Sequence, residues 1–386
     1  MPKKESPLRK TIVRFALYLI LLLPLICLRE PTPTDEGKYF RIAAESASQK
    51  TFWCTYDNGE MYTDKPPVYF WLIRLTSYMF GDGCYTAMSL FSLIPALIVL
   101  AIFNSWCRKE LKGRYQRAAE ITLLSTAYFL GATVVLRMDM LMTMFITLAM
   151  WWFWKIYSGK HKKSDKYIFG TFIFLAIFTK GPVGLLMPLA CTAAFLAVKD
   201  NFKAFKHIWN WNTWAPILIG CLFWWTMTAM EGGFAYLKDM LLHQTFGRAF
   251  NSFAHSRNIF YYLYSIWYIM GPWSLLTIGI IIWALVKKKI ELPSIAQFFI
   301  ISAGTFIIMM SLFSCKLQIY LLPCMGFINY AAYMILYKMA LTDHEMHAAA
   351  RVMRRIMTIG SVVILILVFI ISIGATDWMN KILLSL

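Results

Sequence analysis

Apolar runs of bilayer length recur along the chain, and short polar segments separate them. Lipid offers the backbone no hydrogen-bond partner, and no run alternates like a barrel strand, so each run is predicted to be a helix. The sequence therefore predicts an all-α, polytopic membrane protein with about 11 spans. The predicted spans lie near residues 11–28, 87–105, 118–135, 140–157, 167–180, 183–198, 213–230, 259–283, 295–313, 319–337 and 356–374.

Composition and the first run agree with this prediction. Of 386 residues, 59% are apolar and 15% are charged, which excludes a single water-soluble globule. The first run follows a basic segment, as in a secretory signal. Its apolar core is nevertheless long enough to span a bilayer, and Cys27, Leu28 and Arg29 make a poor cleavage site. We therefore interpret it as the first span.

Most of the formal charge of +18 comes from loops that belong to one face. Basic clusters lie at the N-terminus and near residues 108–117, 160–166 and 287–289. The positive-inside rule places these loops in the cytoplasm. The excess of basic residues thus reflects membrane topology and requires no nucleic-acid partner.

The opposite face carries a long segment, residues 29–85, that is mixed in charge and rich in aromatic residues. Its aromatic content is not typical of disorder, so we predict amphipathic helices lying on the membrane, one of them near residues 34–50. A second long external loop is predicted at residues 231–258. We expect one membrane domain over residues 1–386, without a large C-terminal soluble domain.

Five polar motifs follow one another on the predicted external face. They are Asp35, Glu36 and Tyr39 with Lys65, Pro66, Pro67, Trp71 and Gly81; Arg137, Asp139 and Leu141; Lys180, Gly181 and Pro182; the stretch from His243 through Phe246, Arg248, His255 and Tyr262 to Pro272 and Trp273; and Ser314, Lys316, Leu317, Tyr320 and Pro323. In this order they resemble the external loops of the membrane glycosyltransferases that use polyprenyl-phosphate sugars, the aminoarabinose transferase and protein O-mannosyltransferase group.

The resemblance implies a GT-C-like fold and an inverting hexosyl or pentosyl transfer. The donor would be a polyprenyl-phosphate sugar, and the acceptor would be lipid A, another glycan or a protein. It also implies a bacterial inner membrane with the active site on the periplasmic face. Two positions depart from the family pattern: Tyr85 to Met88 occupy the place of a frequent arginine, and Gln318 stands where proline is common.

Glycosyl transfer needs a base for the acceptor hydroxyl and cations for the departing phosphate. Asp35 is the candidate general base, and its neighbour Glu36 is a second candidate carboxylate that we expect to position the loop or the acceptor. Asp35 is also well placed to cap a helix, which is the structural alternative. The residue types alone leave both interpretations open.

Cations at several separate points of the same face are candidates for binding the donor phosphate. Tyr320 follows Lys316 by four residues, so a shared helix face would bring both to one phosphate. For Lys65 the alternative is contact with lipid headgroups, and for Arg137 and Asp139 it is an ion pair at the membrane boundary. The donor-phosphate candidates are Lys65, Arg137, Lys316, Tyr320 and Arg248, and the supporting candidates are Asp139 and Lys180.

No cofactor is required by the sequence, although a divalent metal held by Asp64 together with His243 or His255 is an alternative. No metal-binding spacing such as HxxxH or CxxC supports that site. Cys54 and Cys84 both fall in the first external loop and would be able to pair in an oxidising compartment, but sequence does not place their Cα atoms.

Two other function classes remain open from sequence. A lipid or lipid-linked-sugar flippase also carries membrane charges, but it is expected to place them near mid-bilayer and to show an inverted repeat. A noncatalytic receptor leaves the recurrent external cations unexplained.

Overall fold

The structure is a computed structural model that describes residues 7–32, 35–159, 162–242, 257–342 and 344–374. Within these residues the chain forms sixteen α-helices and one short β-hairpin. The helices are α1 (Pro7–Cys27), α2 (Asp35–Ser48), α3 (Val68–Phe80), α4 (Tyr85–Trp106), α5 (Gly113–Leu124), α6 (Ala127–Val134), α7 (Met138–Tyr157), α8 (Asp165–Lys180), α9 (Val183–Val198), α10 (Phe202–Ile208), α11 (Trp211–Lys238), α12 (Tyr261–Ile269), α13 (Ser274–Lys287), α14 (Ser294–Leu312), α15 (Leu322–Thr342) and α16 (His344–Gly374).

The all-α membrane fold is confirmed, but the count of about 11 full spans is not. Among the described residues, six helical segments are long and apolar enough to cross a bilayer, and a seventh results if the bent pair α12 and α13 is one span. Helices α1 and α9 are apolar but shorter. The spanning segments are Tyr85–Lys109, Met138–Tyr157, Trp211–Leu242, Ser294–Leu312, Gln318–Thr342 and His344–Gly374.

Two of the predicted spans are each divided into two helices. The apolar length of a segment alone does not predict such a break. The segment 118–135 is divided into α5 and α6, and 259–283 into α12 and α13, which meet at 120°. The breaks satisfy each other's polar groups: the Ala127 amide donates to the Gly271 carbonyl at 2.9 Å, and the Trp273 indole donates to Ser125 Oγ at 2.8 Å. Broken helices are tolerated at membrane depth where protein supplies such partners.

The centre of the bundle is built around α15, whose residues are almost all buried. Its apolar character on all sides explains this position, because a helix without a polar face belongs in an interior. Tyr330 stacks on Phe103 of α4 with ring centroids 4.9 Å apart, and Gly326 lies directly against the same Phe103 ring. Helices α5, α7, α13, α14 and α16 pack against α15.

Residues 35–80, within the segment predicted to be external, are folded and contain helices as predicted. The helix predicted near 34–50 is α2, and α3 follows it. Between them the chain forms a hairpin that was not predicted, pairing Tyr56 with Met61 and Asp57 with Glu60. Its turn, Asn58 and Gly59, has positive φ at both residues, the conformation that Asn-Gly favours in tight hairpins.

The end of α11 fastens this external segment. The Glu231 carboxylate accepts the backbone amides of Phe52, Trp53 and Cys54 at 2.6–2.7 Å, and the Tyr236 hydroxyl accepts the Thr55 amide at 3.0 Å. The loop predicted at 231–258 therefore begins as helix, which continues to Lys238 after a kink at Gly233, and residues 243–256 lie outside the described residues.

Glu231→Gln is expected to weaken the hydrogen bonds that hold the backbone of residues 52–54. The glutamine side chain has one acceptor oxygen instead of two, and its NH₂ group cannot accept a hydrogen bond from a backbone amide. The local loss should be about 1–3 kcal/mol. Hydrogen exchange of the amides of residues 52–54 should accelerate. Glu45→Gln is the matched control, since Glu45 accepts the Asn58 and Gly59 amides at 2.7 Å and should affect only that turn. Unchanged exchange at 52–54 in the Glu231 variant would contradict this account.

Candidate active site

Four charged side chains from the start of α2, the start of α7 and the end of α8 form one connected cluster. Arg137 Nη1 lies 2.5 Å from Asp35 Oδ2, and Arg137 Nε lies 3.4 Å from Asp139 Oδ2. Asp139 Oδ1 in turn accepts a hydrogen bond from the Lys180 ammonium. The chain of contacts is Asp35, Arg137, Asp139 and Lys180, and we call these four residues the charge cluster.

Exposure divides the charge cluster into an accessible and a buried part. The Asp35 side chain is 42% exposed and that of Arg137 is 21% exposed, whereas Lys180 is 10% and Asp139 only 1% exposed. Asp35 is thus the carboxylate of the cluster that a substrate can reach. Asp139 is available only to Arg137 and Lys180, which its two oxygens contact.

Helix ends bring the cluster together. Arg137 is extended just before α7, Asp139 lies in the first turn of α7, and Lys180 is the last residue of α8. Helices α7 and α8 are sequential and packed side by side, so the start of one meets the end of the other. An acidic residue at a helix start and a basic one at a helix end both interact favourably with the helix dipoles. After Lys180, Gly181 takes φ 88°, which turns the chain sharply into α9.

Two tyrosines border the charge cluster. Lys180 Nζ lies 4.7 Å from the centroid of the Tyr320 ring, a distance typical of a cation–π contact. Tyr39 of α2 is buried, and burial raises the pKa of its hydroxyl, which therefore stays protonated and able to donate. Electrostatic interactions link this hydroxyl to Arg137, Asp35, Asp139 and Asp64.

Glu36 occupies a different position from its neighbour. Its carboxylate is fully buried, with Arg29 at 2.5 and 2.7 Å, and it accepts the amides of Thr32 and Leu136 at 2.6 Å each. All of these partners are fixed protein groups, so an acceptor has no access to this carboxylate. The geometry fits the expected positioning of the loop and leaves Asp35 as the accessible carboxylate.

Lys316 and Tyr320 do not share a helix face, which corrects the spacing argument. Lys316 lies in an extended segment before a short 3-10 helix, Gln318–Leu321. Its ammonium is buried and donates to the carbonyls of Arg257, at 3.1 Å, and Phe313. Burial lowers the pKa of Lys316. These contacts make Lys316 a support of the loop that carries Tyr320, and no described contact joins it to the charge cluster.

The remaining candidates have different outcomes. Lys65 precedes Pro66 and Pro67, which lead into α3, and its positive charge interacts electrostatically with Asp139. Arg248 and His243 lie outside the described residues, as does His255. In the part of the chain that the structure describes, no group of three or more metal-ligating side chains occurs, and the candidate histidine co-ligands of Asp64 lie outside it. Cys54 and Cys84 are both free thiols, and the disulfide considered between them is not formed.

Sequence reasoning missed several groups that hold the site. Arg29 donates to the Val134 carbonyl at 3.0 Å and to Ser89 Oγ at 3.2 Å, and Ser92 Oγ donates to the Val135 carbonyl at 2.7 Å. These contacts fix the segment that leads into Arg137. A basic residue just beyond a span and serines inside one are common in membrane proteins, so nothing in their local pattern distinguished them.

The arrangement of the membrane helices is that of a structural class, the GT-C fold. Two crystal structures of ArnT from Cupriavidus metallidurans share it. The structure bound to undecaprenyl phosphate has a TM-score of 0.76 at 16% identity, and the apo structure has 0.74 at 18%. In both comparisons the match covers 98% of this chain and 77% of the other.

Sequence comparisons agree with the resemblance drawn from the motifs. The family described as dolichyl-phosphate-mannose-protein mannosyltransferase matches residues 64–225. Undecaprenyl phosphate-alpha-4-amino-4-deoxy-L-arabinose arabinosyl transferases are similar: the Wigglesworthia glossinidia brevipalpis protein is 29% identical over 81% of this chain, and the Edwardsiella ictaluri protein 26% over 50%. The chain spans 56% and 35% of these two relatives, respectively.

Glu36→Gln is expected to destabilise the fold by about 3–5 kcal/mol, because it leaves the buried Arg29 charge without its partner. Burial alone would raise the pKa of Glu36, but the hydrogen bonds and charge of Arg29 outweigh it and hold the pKa below its ordinary value. The stabilisation is therefore complete above the unfolded pKa of about 4.3 and is lost as pH falls through the folded pKa.

The measurement is Tm in detergent as a function of pH. The gap between wild type and the Glu36 variant should be large at neutral pH and should narrow as pH falls below about 4. Glu60→Gln, which changes an exposed carboxylate of the same external segment, serves as the matched control. A Glu36 variant with wild-type Tm at pH 7 would show that the pair contributes nothing to stability.

Proposed function

We propose that the protein is a membrane glycosyltransferase that transfers a sugar from a polyprenyl-phosphate donor to an acceptor outside the cytoplasm. The observation that carries the proposal is the charge cluster, where an accessible carboxylate lies beside an arginine on an ArnT-like fold. A base and a phosphate-binding cation within one site are the groups that this transfer needs.

In the proposed reaction Asp35 takes the proton of the acceptor hydroxyl. The acceptor oxygen attacks the anomeric carbon, the bond from that carbon to the phosphate oxygen breaks, and polyprenyl phosphate leaves with the bonding electrons. Direct displacement inverts the anomeric configuration. The leaving group needs no proton, because a phosphate already stabilises negative charge, so cation placement contributes more than general acid catalysis.

Arg137 is the proposed principal ligand of the phosphate, since its guanidinium is suited to bidentate contact and is partly exposed. Lys65 adds a second positive charge from the turn before α3. Asp139 and Lys180 hold Arg137 and Tyr320 in place. Arg248 remains a proposed donor contact, and a divalent metal at Asp64 and His243 remains an untested alternative.

We place the reaction at the periplasmic face of a bacterial inner membrane, opposite the basic loops. Undecaprenyl phosphate is the proposed carrier because the ArnT structure carries it. Lipid A, another glycan and protein are the acceptor classes to compare. The flippase alternative has no support among the similar proteins reported above, whose names describe transferases.

Reconstituted protein should transfer sugar from an undecaprenyl-phosphate sugar to one of these acceptor classes. Asp35→Asn is expected to lower the rate by about 10²- to 10⁴-fold, the usual contribution of a positioned base. Lys65→Ala should lower it by about tenfold, for a lost charged phosphate contact of about 1.5–3 kcal/mol partly replaced by the other cations.

Asp57→Asn is the matched control, because Asp57 lies on the same external segment but pairs with Arg41 at 2.8 Å, away from the charge cluster. It should retain transfer. Full transfer by correctly folded Asp35→Asn would overturn the role of the base. Protein-dependent lipid movement without any transfer would favour the flippase.

A further inference from the structure

The Arg137–Asp35 ion pair occupies the groups that the proposed reaction needs free. At 2.5 Å, Asp35 Oδ2 takes a donor position of the guanidinium that would otherwise bind phosphate. The same contact engages the oxygen that would otherwise receive the acceptor proton. In this structure, therefore, the proposed base and the proposed phosphate ligand neutralise each other.

The two carboxylates that contact Arg137 differ in how easily they can be exchanged. Asp139 is buried and is also held by Lys180, so its departure would leave a buried ammonium without a partner. Asp35 is 42% exposed at the start of α2, and its replacement by water or phosphate costs much less. An incoming anion would therefore displace Asp35 and leave Asp139 in place.

We propose that the donor phosphate exchanges with Asp35 on Arg137, so that donor binding releases the base. This inference rests on the proposed function. Before donor binding, Asp35 is held as the partner of Arg137, and the guanidinium engages its Oδ2 atom. When the phosphate takes its place, the carboxylate turns to the acceptor hydroxyl, and proton removal becomes coupled to the presence of the donor.

The exchange also works in reverse after the transfer. The departing polyprenyl phosphate carries more negative charge than the donor diester, while Asp35 has gained the acceptor's proton and is neutral. The product phosphate therefore keeps Arg137 until Asp35 loses its proton to water. The restored carboxylate then competes for Arg137 and promotes product release. Asp35 is thus a positioning partner of Arg137 as well as the base.

The test is direct binding of undecaprenyl phosphate to protein in phosphatidylcholine nanodiscs. Asp35→Asn should bind this lipid about tenfold more tightly than wild type, which corresponds to about 1.4 kcal/mol. The reason is that an amide does not compete as an anion for Arg137. The same variant should be impaired in transfer, so tighter binding and loss of activity are expected together.

Two comparisons separate exchange from a general change in charge. Asp57→Asn removes the same charge from the same external segment and should leave the affinity unchanged. In the Arg137→Gln background, Asp35→Asn should give no further gain, because the cation for which phosphate and carboxylate compete is absent. Tm measurements identify any variant that is not folded, and the near-isosteric change from Asp to Asn minimises that risk at positions 35 and 57.

Equal or weaker binding by Asp35→Asn would overturn the exchange, as would an equal gain in Asp57→Asn or a gain that persists without Arg137. Each of these results leaves the proposed transferase intact, provided that wild type binds the lipid. Failure of wild type to bind undecaprenyl phosphate and to transfer sugar would instead reject the proposed function itself, together with the exchange that rests on it.

Discussion

A buried ion pair between Arg29 and Glu36 fixes the end of the molecule that carries the charge cluster. The Glu36 carboxylate contacts the guanidinium of Arg29, the amide of Thr32 and the amide of Leu136. It thereby joins the segment after α1, the start of α2 and the turn before α7. A buried charge pair is costly unless its remaining hydrogen-bonding groups find partners, and these amides satisfy the carboxylate oxygens.

The same pair explains why two adjacent carboxylates have different roles. Neighbouring residues on a helix point about 100° apart, so α2 directs Glu36 into the protein when it directs Asp35 towards the charge cluster. The amide that Glu36 accepts belongs to Leu136, the residue before Arg137. One carboxylate therefore positions both members of the Asp35–Arg137 pair through the backbone, and the other remains accessible.

The sequence predicted the features that depend on local pattern. The apolar runs predicted the membrane helices, the periodicity of the external segment predicted α2, and the order of polar motifs predicted the GT-C fold. It did not predict the breaks at Ser125 and Gly271, because the hydrogen bonds that satisfy them come from residues far apart in the chain. Asn-Gly at 58–59 was a recognisable hairpin signal that we missed.

For the candidate site the limit was similar. Residue type identified Asp35, Arg137 and Lys180 as charged groups of one face. Only the tertiary structure shows that Arg137 contacts Asp35, whereas the Lys316 ammonium donates its hydrogen bonds to backbone carbonyls. The four-residue spacing of Lys316 and Tyr320 does not place them on one helix face, because the segment is extended before its helix begins. Lysines of equal formal charge thus differ in availability, and availability is a property of the fold.

The charge cluster combines a fixed half with an exchangeable half. Asp139 at the start of α7 and Lys180 at the end of α8 are each favoured by the dipole of their own helix and by each other, so this pair persists whatever occupies the site. Arg137 contacts the buried Asp139 through Nε and the more exposed Asp35 through Nη1. A guanidinium anchored on one edge and open on the other can change its outer anion without losing its orientation. That property suits a site in which a phosphate must enter and leave on every turnover.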